Sequence, residues 1–275
     1  MTTLMGIVNA SPESFSDGAR VGDLDAQVRH ALELRDAGAG IIDVGGESGV
    51  TDRAPVAAEE EAARVVPLVE RLAGEGVTVS VDTWKPAVAQ AALAAGATMV
   101  NDVSGLRDPE LADACAAAGA SLVVTHTGAP PKQKLFAAYD DVAGSVVEFL
   151  RERIALARSR GVERIVLDPG PDLGKTPADT VAALRALPRV AELGHPVLLA
   201  VSRKDFVGAI TGRAPGERLA GTLAAIGAGL DAGASILRVH DVRAAADYVA
   251  VRAALRGERE VSPELRLDPS LRRAI

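Results

Sequence analysis

The chain has few cysteines, few aromatic residues and no excess of positive charge. Its single cysteine, Cys115, excludes a disulfide framework and a zinc site built from cysteines, and it suits a reducing compartment. The formal net charge of −7 provides no general attraction to nucleic acid or anionic lipid, so we expect neither partner. Aromatic residues make up only 3% of a chain that is 48% hydrophobic, so the core must consist of alanine, valine, leucine and isoleucine.

The sequence also lacks the features of an exported or membrane-bound chain. No apolar run approaches the roughly 18 residues of a membrane-spanning helix, and no basic segment followed by an apolar core begins the sequence. We therefore expect a cytoplasmic protein without a membrane partner. The length of 275 residues suits one or two domains, and a single α/β barrel usually needs about 250.

Short apolar runs alternate with longer stretches of helical spacing along the chain. Eight runs occur, at residues 4–8, 40–44, 77–81, 98–103, 121–125, 164–167, 196–201 and 235–239. Near-continuous apolar runs are typical of parallel strands that are buried on both faces. The alternation therefore predicts an α/β protein, a (β/α)8 TIM barrel over residues 1–255. Residues 256–275, which are charged and contain two prolines, are predicted to form a C-terminal extension.

Four of the predicted strands follow the same Ala-Gly-Ala step. The central glycines of these steps are Gly38, Gly96, Gly119 and Gly233. Glycine just beyond a helix end adopts a positive φ readily, which closes the last turn before the chain enters a strand. Four copies of one junction indicate a repeated βα unit.

Polar residues follow every apolar run. They are Asn9, Asp43 with Glu47, Asp82, Asn101 with Asp102, His126, Asp168, Ser202 to Lys204, and Arg238 with His240. An open doubly wound sheet, the alternative arrangement, would concentrate polar residues beside one switch point. Polar groups at all eight strand ends favour the ring of loops that forms the active face of a barrel.

Two phosphate-binding patterns in the sequence are incomplete. Segment 168–176 nearly matches a phosphate loop, but Pro169 replaces its first glycine and provides no N–H group. Segment 227–232 has the glycine spacing of a dinucleotide fingerprint, but it precedes a strand instead of following one. Neither pattern predicts a nucleotide site.

At three of the eight strand ends the first polar residue is a carboxylate, namely Asp43, Asp82 and Asp168. Together with Asn101 they would form an opening rich in hydrogen-bond acceptors, which suits a purine or pterin with several N–H donors. For each carboxylate, fastening a loop or capping a helix is the structural alternative. The position of His126 leaves core packing and a site role both open.

The last two strands and the first strand become neighbours when the barrel closes. Their ends carry Asn9, Lys204, Arg238 and His240. Barrels commonly bind phosphate near strands 7 and 8, and guanidinium is a bidentate partner for phosphate. We therefore expect an anion subsite opposite the carboxylates. The alternative is that Arg238 pairs with Asp241 and Lys204 with Asp205.

Seven motifs together resemble the dihydropteroate synthase family. They are MGIVNASPESFSDG, IIDVGGES, VSVDTWK, VNDVSG, LDPGPDLGKT, VSRKDFVG and RVHDV, in family order across roughly residues 5–245. The resemblance implies a barrel enzyme that condenses a pterin pyrophosphate with p-aminobenzoate and releases pyrophosphate. It further implies a role in folate biosynthesis, Mg²⁺ as cofactor and a homodimer.

The resemblance also implies a role for each matching residue. The pterin-binding positions are Asp82, Asn101, Asp168 and Lys204. Asn9, Arg238 and His240 match positions that hold pyrophosphate and Mg²⁺, with Asn9 as the metal ligand, and Ser202 lies near the aminobenzoate. Asp82, Lys204 and Arg238 are the expected catalytic residues, because fixed charges would stabilise the charge that develops as the C–O bond breaks.

Two loops depart from the family pattern on the side of the second substrate. Residues 49–51 stand where the family usually has Thr-Arg-Pro, and Arg53 replaces that arginine only if the loop shifts its register. Leu173 stands at an aromatic position, and Asp172 adds a carboxylate. Segment 9–18, rich in turn formers, is predicted to be a mobile lid.

The expected pterin wall also differs, because Thr125 and Thr127 stand where the family often has methionine. These departures keep an alternative open, a divergent paralogue that binds pterin but uses another second substrate or lacks synthase activity. A third hypothesis is a domain that presents a methylated pterin to a corrinoid protein. The pyrophosphate-binding residues argue against it, since a methyl carrier has no pyrophosphate.

Overall fold

The computed structural model describes residues 2–10, 23–47, 54–133 and 135–272. The strands are β1 (Thr3–Asn9), β2 (Ile41–Gly45), β3 (Val79–Asp82), β4 (Met99–Asp102), β5 (Ser121–Thr125), β6 (Ile165–Asp168), β7 (Leu198–Leu199) and β8 (Ile236–Val239). The helices are α1 (Leu24–Asp36), α2 (Ala58–Gly74), α3 (Pro86–Ala94), α4 (Glu110–Ala118), α5 (Val142–Ser159), α6 (Pro177–Arg185), α7 (Leu187–Ala191), α8 (Asp205–Thr211), α9 (Leu219–Asp231) and α10 (Val242–Leu255). Most of the predicted lid and the altered loop with Arg53 lie outside the described residues.

The strands form one parallel sheet in the order β6-β5-β4-β3-β2-β1-β8-β7. The two ends of this order meet at a parallel bridge between Leu167 and Val197. The sheet therefore closes on itself, and the helices that alternate with its strands surround it. This arrangement confirms the predicted (β/α)8 TIM barrel and excludes the open doubly wound sheet.

Each of the eight predicted apolar runs overlaps one strand. The seventh strand differs most from its prediction, because β7 spans only two residues within the predicted run 196–201. An apolar run indicates burial on both faces, and residues 197–201 of this run are buried, whereas Pro196 is exposed. Burial does not by itself specify ladder hydrogen bonds, so the run overstates the strand.

The four predicted helix-to-strand junctions are confirmed. The φ angles are +112° at Gly38, +111° at Gly96, +60° at Gly119 and +100° at Gly233. L-residues with a Cβ rarely adopt such angles. At Gly96 an added Cβ would also lie 2.6 Å from the Cβ of Ala73, so the junction packs directly on α2.

A small apolar cluster fills the barrel interior below the site. It consists of Met5, Ile41, Met99, Val123, Val166, Leu198, Ala200 and Ile236. The larger core lies between the strands and the helices. Because strand side chains alternate, the residue two positions beyond each interior residue points into the same space, nearer the C-terminal end of the barrel. The positions of the interior cluster therefore identify which side chains of each strand point into the site.

The chain beyond α10 makes little regular structure. Residues 256–272 contain one short 3₁₀ helix, Pro269–Leu271, and their side chains are exposed. The C-terminal extension over 256–275 stays a prediction as a domain boundary. Within the described ranges, no helix is both long enough and apolar enough to cross a membrane.

Candidate active site

Polar side chains occupy the inward positions at the C-terminal end of the barrel. Two steps beyond the interior apolar cluster lie Asp43, Asn101, Thr125, Asp168 and Arg238. The register places Asp82 beside Asn101 and Thr125 beside Asp168. Paired residues of parallel strands point to the same face of a sheet, so these side chains share one space. We call the six residues Asp43, Asp82, Asn101, Thr125, Asp168 and Arg238 the mouth.

Arg238 forms the central contacts of the mouth. Its Nε donates to Asp43 Oδ2 at 2.6 Å and its Nη2 donates to Asp82 Oδ2 at 2.7 Å. Asn101 Nδ2 donates to the same oxygen of Asp43 at 3.0 Å. The side chain of Asp43 is 0% exposed, so this buried carboxylate depends on the guanidinium for its charge balance.

These contacts correct the expectation that anions and cations lie on opposite sides of the opening. Arg238 instead lies between two of the carboxylates. Burial lowers the pKa of Arg238, but Asp43 and Asp82 outweigh burial and raise it. Burial raises the pKa of Asp82 above its ordinary value, Arg238 opposes this rise, and Asp43 adds to it. Positive and negative side chains therefore alternate within the mouth instead of lying on opposite sides of it.

The alternative pairing of Arg238 with Asp241 and of Lys204 with Asp205 is wrong. Arg203 donates to Asp241 from Nε at 3.0 Å and from Nη2 at 2.7 Å. Asp205 instead accepts from a guanidinium further along the chain, Arg218 Nη1, at 2.9 Å. Both acids are thus engaged by other arginines.

Asp168 and Lys204 complete the site. Asp168 ends β6, and Lys204 lies between β7 and α8. Asp168 Oδ1 accepts from the Gly170 N–H at 2.7 Å, and Lys204 Nζ donates to the Pro171 carbonyl at 2.9 Å. Burial raises the pKa of Asp168, and the Gly170 N–H and Lys204 lower it. Burial lowers the pKa of Lys204, and the nearby carboxylates of Asp172 and Asp168 raise it. The charges of Lys204 and Asp168 therefore stabilise each other.

Ser202, His240 and Asn9 lie at the rim. Ser202 Oγ accepts from the His240 N–H at 3.2 Å and lies 3.0 Å from His240 Nδ1. His240 also lines a cavity of about 520 Å³ between α1 and the start of α10. An added Cβ at Gly45 would lie 3.7 Å from both Asn9 Oδ1 and the Cβ of Asp82. Glycine at this position therefore leaves room between Asn9 and Asp82.

Two residues at strand ends have structural roles instead. Asp102 accepts from the N–H groups of Ser104 and Leu106 and thereby fastens the loop after β4. His126 packs edge-on against Phe149, with ring centroids 5.0 Å apart, on the helical side of the barrel. Burial lowers the pKa of His126 to about 3, so the imidazole is neutral. The open question about His126 is therefore settled in favour of core packing.

Asp172 fastens the loop after β6 to two helices. Its Oδ1 accepts from Thr180 Oγ1 at 3.1 Å, and its Oδ2 accepts from the Phe206 N–H at 3.3 Å. The residue also has a positive φ of +62°. The Asp172 carboxylate is thus bonded within the protein. A carboxylate whose only role was to repel a second substrate would not need these partners.

Sequence reasoning missed the role of Lys175. Its side chain is among the largest that are fully buried, and its Nζ donates to three carbonyls. The acceptors are His126 O at 3.3 Å, Gly170 O at 2.8 Å and Leu173 O at 3.3 Å. Burial lowers the pKa of Lys175 to about 7. The lysine of the rejected phosphate-loop pattern therefore holds the backbone around Asp168 instead of a nucleotide.

A second buried charge cluster lies beside the mouth. Lys85 Nζ donates to Glu47 Oε2 and to the Val56 carbonyl, both at 2.6 Å, and to Glu61. Lys132 Nζ lies 3.2 Å from Glu47 Oε1. Glu47, which the sequence places among the polar residues at the end of the second strand, is therefore a structural anchor of the loop after β2.

A metal would depend on the substrate for most of its ligands. Among the described residues, no group of three or more His, Cys, Asp or Glu side chains could hold a metal ion. Mg²⁺ is often bound through one or two protein ligands together with water and substrate phosphates. Asn9, beside the space left by Gly45, therefore fits Mg²⁺ only as a partner of a bound diphosphate.

Comparisons with known proteins identify the family of the chain. The family described as "Pterin binding enzyme" matches residues 5–240. Dihydropteroate synthase of Bacillus subtilis is 41% identical over 246 residues, covering 88% of this chain and 84% of that protein. Xanthomonas albilineans dihydropteroate synthase with 4-aminobenzoic acid has a TM-score of 0.87 at 44% identity, covering 93% of both chains.

The same Xanthomonas enzyme has also been solved in complex with 7,8-dihydropteroate. That structure gives a TM-score of 0.83 at 44% identity, covering 93% of this chain and 94% of that one. The matches in sequence and in structure span nearly the whole barrel. The chain therefore belongs to the dihydropteroate synthase family of pterin-binding enzymes.

Proposed function

We propose that this protein is a dihydropteroate synthase, a transferase of folate biosynthesis. It condenses 6-hydroxymethyl-7,8-dihydropterin pyrophosphate with p-aminobenzoate, giving dihydropteroate and pyrophosphate. The observation that carries the proposal is the mouth itself, where Arg238 lies between Asp43 and Asp82. Relatives of 41% and 44% identity bear this name, and the Xanthomonas structures contain an aminobenzoate and the product.

The residues of the mouth suit both halves of the first substrate. Carboxylate and amide oxygens of Asp82, Asn101 and Asp168 accept hydrogen bonds from a donor-rich pterin edge. Arg238 uses two of its N–H groups for Asp43 and Asp82, and a guanidinium has five, so donors remain for the diphosphate. Lys204, whose charge interacts with that of Asp168, adds a cation at the ring.

The reaction is a substitution at the pterin methylene carbon. The C–O bond to the diphosphate breaks with its electron pair on the leaving group, and the amine nitrogen forms the new C–N bond and loses a proton. Asp82 and Asp168 stabilise positive charge that spreads into the ring, and Arg238 stabilises the charge on the departing oxygen. Ser202 is proposed to lie near the p-aminobenzoate, with His240 holding its hydroxyl.

We propose Mg²⁺ as the cofactor, with Asn9 as its protein ligand and with His240 and Arg238 beside the diphosphate. The mouth contains three carboxylates, and a diphosphate adds further negative charge to a partly buried space. When bound, Mg²⁺ would neutralise charge on the diphosphate. Asn9 is a single neutral ligand, which is typical of a metal that binds together with its phosphate-bearing substrate.

Calorimetry tests the function directly. The purified protein is titrated with the pterin pyrophosphate and Mg²⁺, and then with p-aminobenzoate, followed by assay for dihydropteroate. Ordered binding of both ligands with product formation supports the proposal. Pterin binding without a response to p-aminobenzoate would instead identify the divergent paralogue, and absence of pterin binding would contradict both.

Replacing Asp82 by asparagine is expected to weaken pterin binding by roughly tenfold to a hundredfold. The change removes the charge of an acceptor that meets ring N–H groups, and charge-assisted hydrogen bonds contribute about 1.5–3 kcal/mol each. Titration of the variant with pterin lacking the diphosphate measures the effect. Asp113→Asn serves as the control, because Asp113 is half-exposed on α4 and pairs with Arg160. An unchanged affinity in the Asp82 variant would contradict its role at the ring.

We also propose a cytoplasmic homodimer. Large apolar side chains are exposed on α10 and beyond, including Val251, Leu255 and Leu271. Exposed apolar groups of this size favour burial against another surface, and the buried Cys115 suits a reducing compartment. Sedimentation equilibrium should give twice the mass of one chain. A monomer at micromolar concentration would contradict the homodimer.

A further inference from the structure

Thr125 lies between two proposed pterin-binding residues. It ends β5, and its inward direction follows from Val123, which belongs to the interior apolar cluster. The register pairs Thr125 with Asp168 on one side, and on the other side β5 pairs with the strand that carries Asn101. Its side chain is 0% exposed. The hydroxyl is therefore part of the floor of the mouth.

This hydroxyl has no hydrogen-bond partner among the described residues. The other side chains of the mouth each have at least one: Arg238 donates to Asp43 and Asp82, Asn101 donates to Asp43, and Asp168 accepts from the Gly170 N–H. Polar groups inside proteins are nearly always bonded to protein, water or ligand. An unpaired buried hydroxyl in a ligand-binding floor thus indicates a partner that arrives from outside the chain.

The other buried threonines of the described chain show how unusual Thr125 is. Thr83 accepts from the Lys85 N–H, Thr180 and Thr222 accept from the N–H groups of Asp172 and Arg203, and Thr127 donates to the Ala129 carbonyl. Each of these hydroxyls fastens a loop. Thr125 fastens none, so local structure does not explain its hydroxyl.

We propose that the Thr125 hydroxyl is a specificity-determining contact to the bicyclic ring of the pterin, an inference that rests on the proposed function. A hydroxyl both donates and accepts, so it can bond a ring nitrogen, a ring N–H or the ring carbonyl between Asn101 and Asp168. In the free protein the unpaired hydroxyl disfavours the folded state. In the complex it favours ligands that have a polar atom at this point over ligands that lack one.

Thr125→Val removes the hydroxyl and keeps the shape of the side chain. We expect the dissociation constant for the pterin pyrophosphate with Mg²⁺ to rise about tenfold, while the melting temperature of the free protein stays equal or rises. Thr125→Ser, which keeps the hydroxyl, should bind within about twofold of the unchanged protein. A hydroxyl with only a structural role would give the opposite sign in the melting experiment.

Ser80→Ala is a matched control. Ser80 Oγ is likewise buried without a partner, but it lies at the level of Met99 in the interior cluster, below the mouth. Its removal should leave ligand affinity unchanged. If it weakens binding as much as Thr125→Val does, the effect is a general response of the barrel and the proposal is overturned.

Pterin analogues in which one ring nitrogen is replaced by CH, together with one that lacks the ring carbonyl oxygen, identify the contacted atom without relying on one variant. The Thr125→Val variant should bind one of these analogues as tightly as it binds the unmodified pterin, because the contact that the analogue lacks is already absent in the variant. Additive losses for every analogue would overturn the inference. If the unchanged protein binds the pterin pyrophosphate and Thr125→Val binds it equally well, only the role of Thr125 fails. If the unchanged protein binds none, the proposed function fails with it.

Discussion

Replacing Arg238 by methionine is expected to lower the free energy of unfolding by about 3–5 kcal/mol, the cost of leaving a buried charge without its partner. Asp43 is fully buried and would keep only the Asn101 amide as a donor. Asp82 would lose its guanidinium as well. Urea denaturation at neutral pH measures the loss.

Two further variants separate this effect from a general loss of charge. Arg160→Met removes a cation that pairs with Asp113, where both side chains are half-exposed, and it should change stability by less than about 1 kcal/mol. Asp43→Asn added to Arg238→Met should restore part of the stability, because the uncompensated charge is then gone. Equal losses for Arg238→Met and Arg160→Met would contradict the buried-pair argument.

Ligand binding by the Arg238 variant tests the proposed diphosphate subsite. The affinity for pterin pyrophosphate should fall further than the affinity for the same pterin without pyrophosphate. Part of the loss is expected for both ligands, since Arg238 also holds Asp82 in place. Equal loss for the two ligands would refute the assignment of Arg238 to the leaving group.

The second large effect is acid sensitivity caused by His126. Burial lowers its pKa to about 3 from an ordinary value of 6.5. Below pH 6.5 the unfolded chain binds a proton that the folded chain does not bind, so stability falls as the pH falls towards 3. At roughly 1.4 kcal/mol per pKa unit, this one residue lowers the free energy of unfolding by about 5 kcal/mol between pH 6.5 and pH 3.

His126→Phe should remove this part of the pH dependence. The replacement ring can pack against Phe149 as the imidazole does, and stability near pH 8 should change little. Denaturation curves between pH 4 and 8 should diverge, with the variant the more stable protein in acid. His30→Gln, at a half-exposed position on α1, is the control, and parallel curves for His126→Phe and the unchanged protein would contradict the prediction.

The sequence predicts the barrel well, because its evidence is repeated. Eight apolar runs and four Ala-Gly-Ala junctions each report the same local unit, and all correspond to strands and junctions in the structure. The length of β7 could not be predicted in this way. Its apolar residues 197–201 are all buried, and only the neighbouring strands decide how many of them form ladder hydrogen bonds.

The sequence predicts the members of the site better than their contacts. A polar residue at the end of a parallel strand must lie at the carboxyl end of the barrel, so five of the six residues of the mouth could be named in this way. For the fifth strand the same reasoning names His126 instead of Thr125. The pairing of Arg238 with Asp43 joins positions 195 residues apart, and only the closed ring brings them together. The direction of His126, towards α5 instead of the opening, likewise depends on the phase of β5 in the sheet.

The short β7 strand has a consequence for how the barrel responds to its ligand. Between β6 and β7 the strand pairing is reduced to the bridge between Leu167 and Val197. Lys204 and the Phe206 N–H reach across the same gap to the loop after β6, at the rim where the substrate is proposed to bind. A ligand bound to both Asp168 after β6 and Lys204 after β7 would link the two sides of this junction. Ligand binding should therefore slow hydrogen exchange of the backbone amides between β6 and β7.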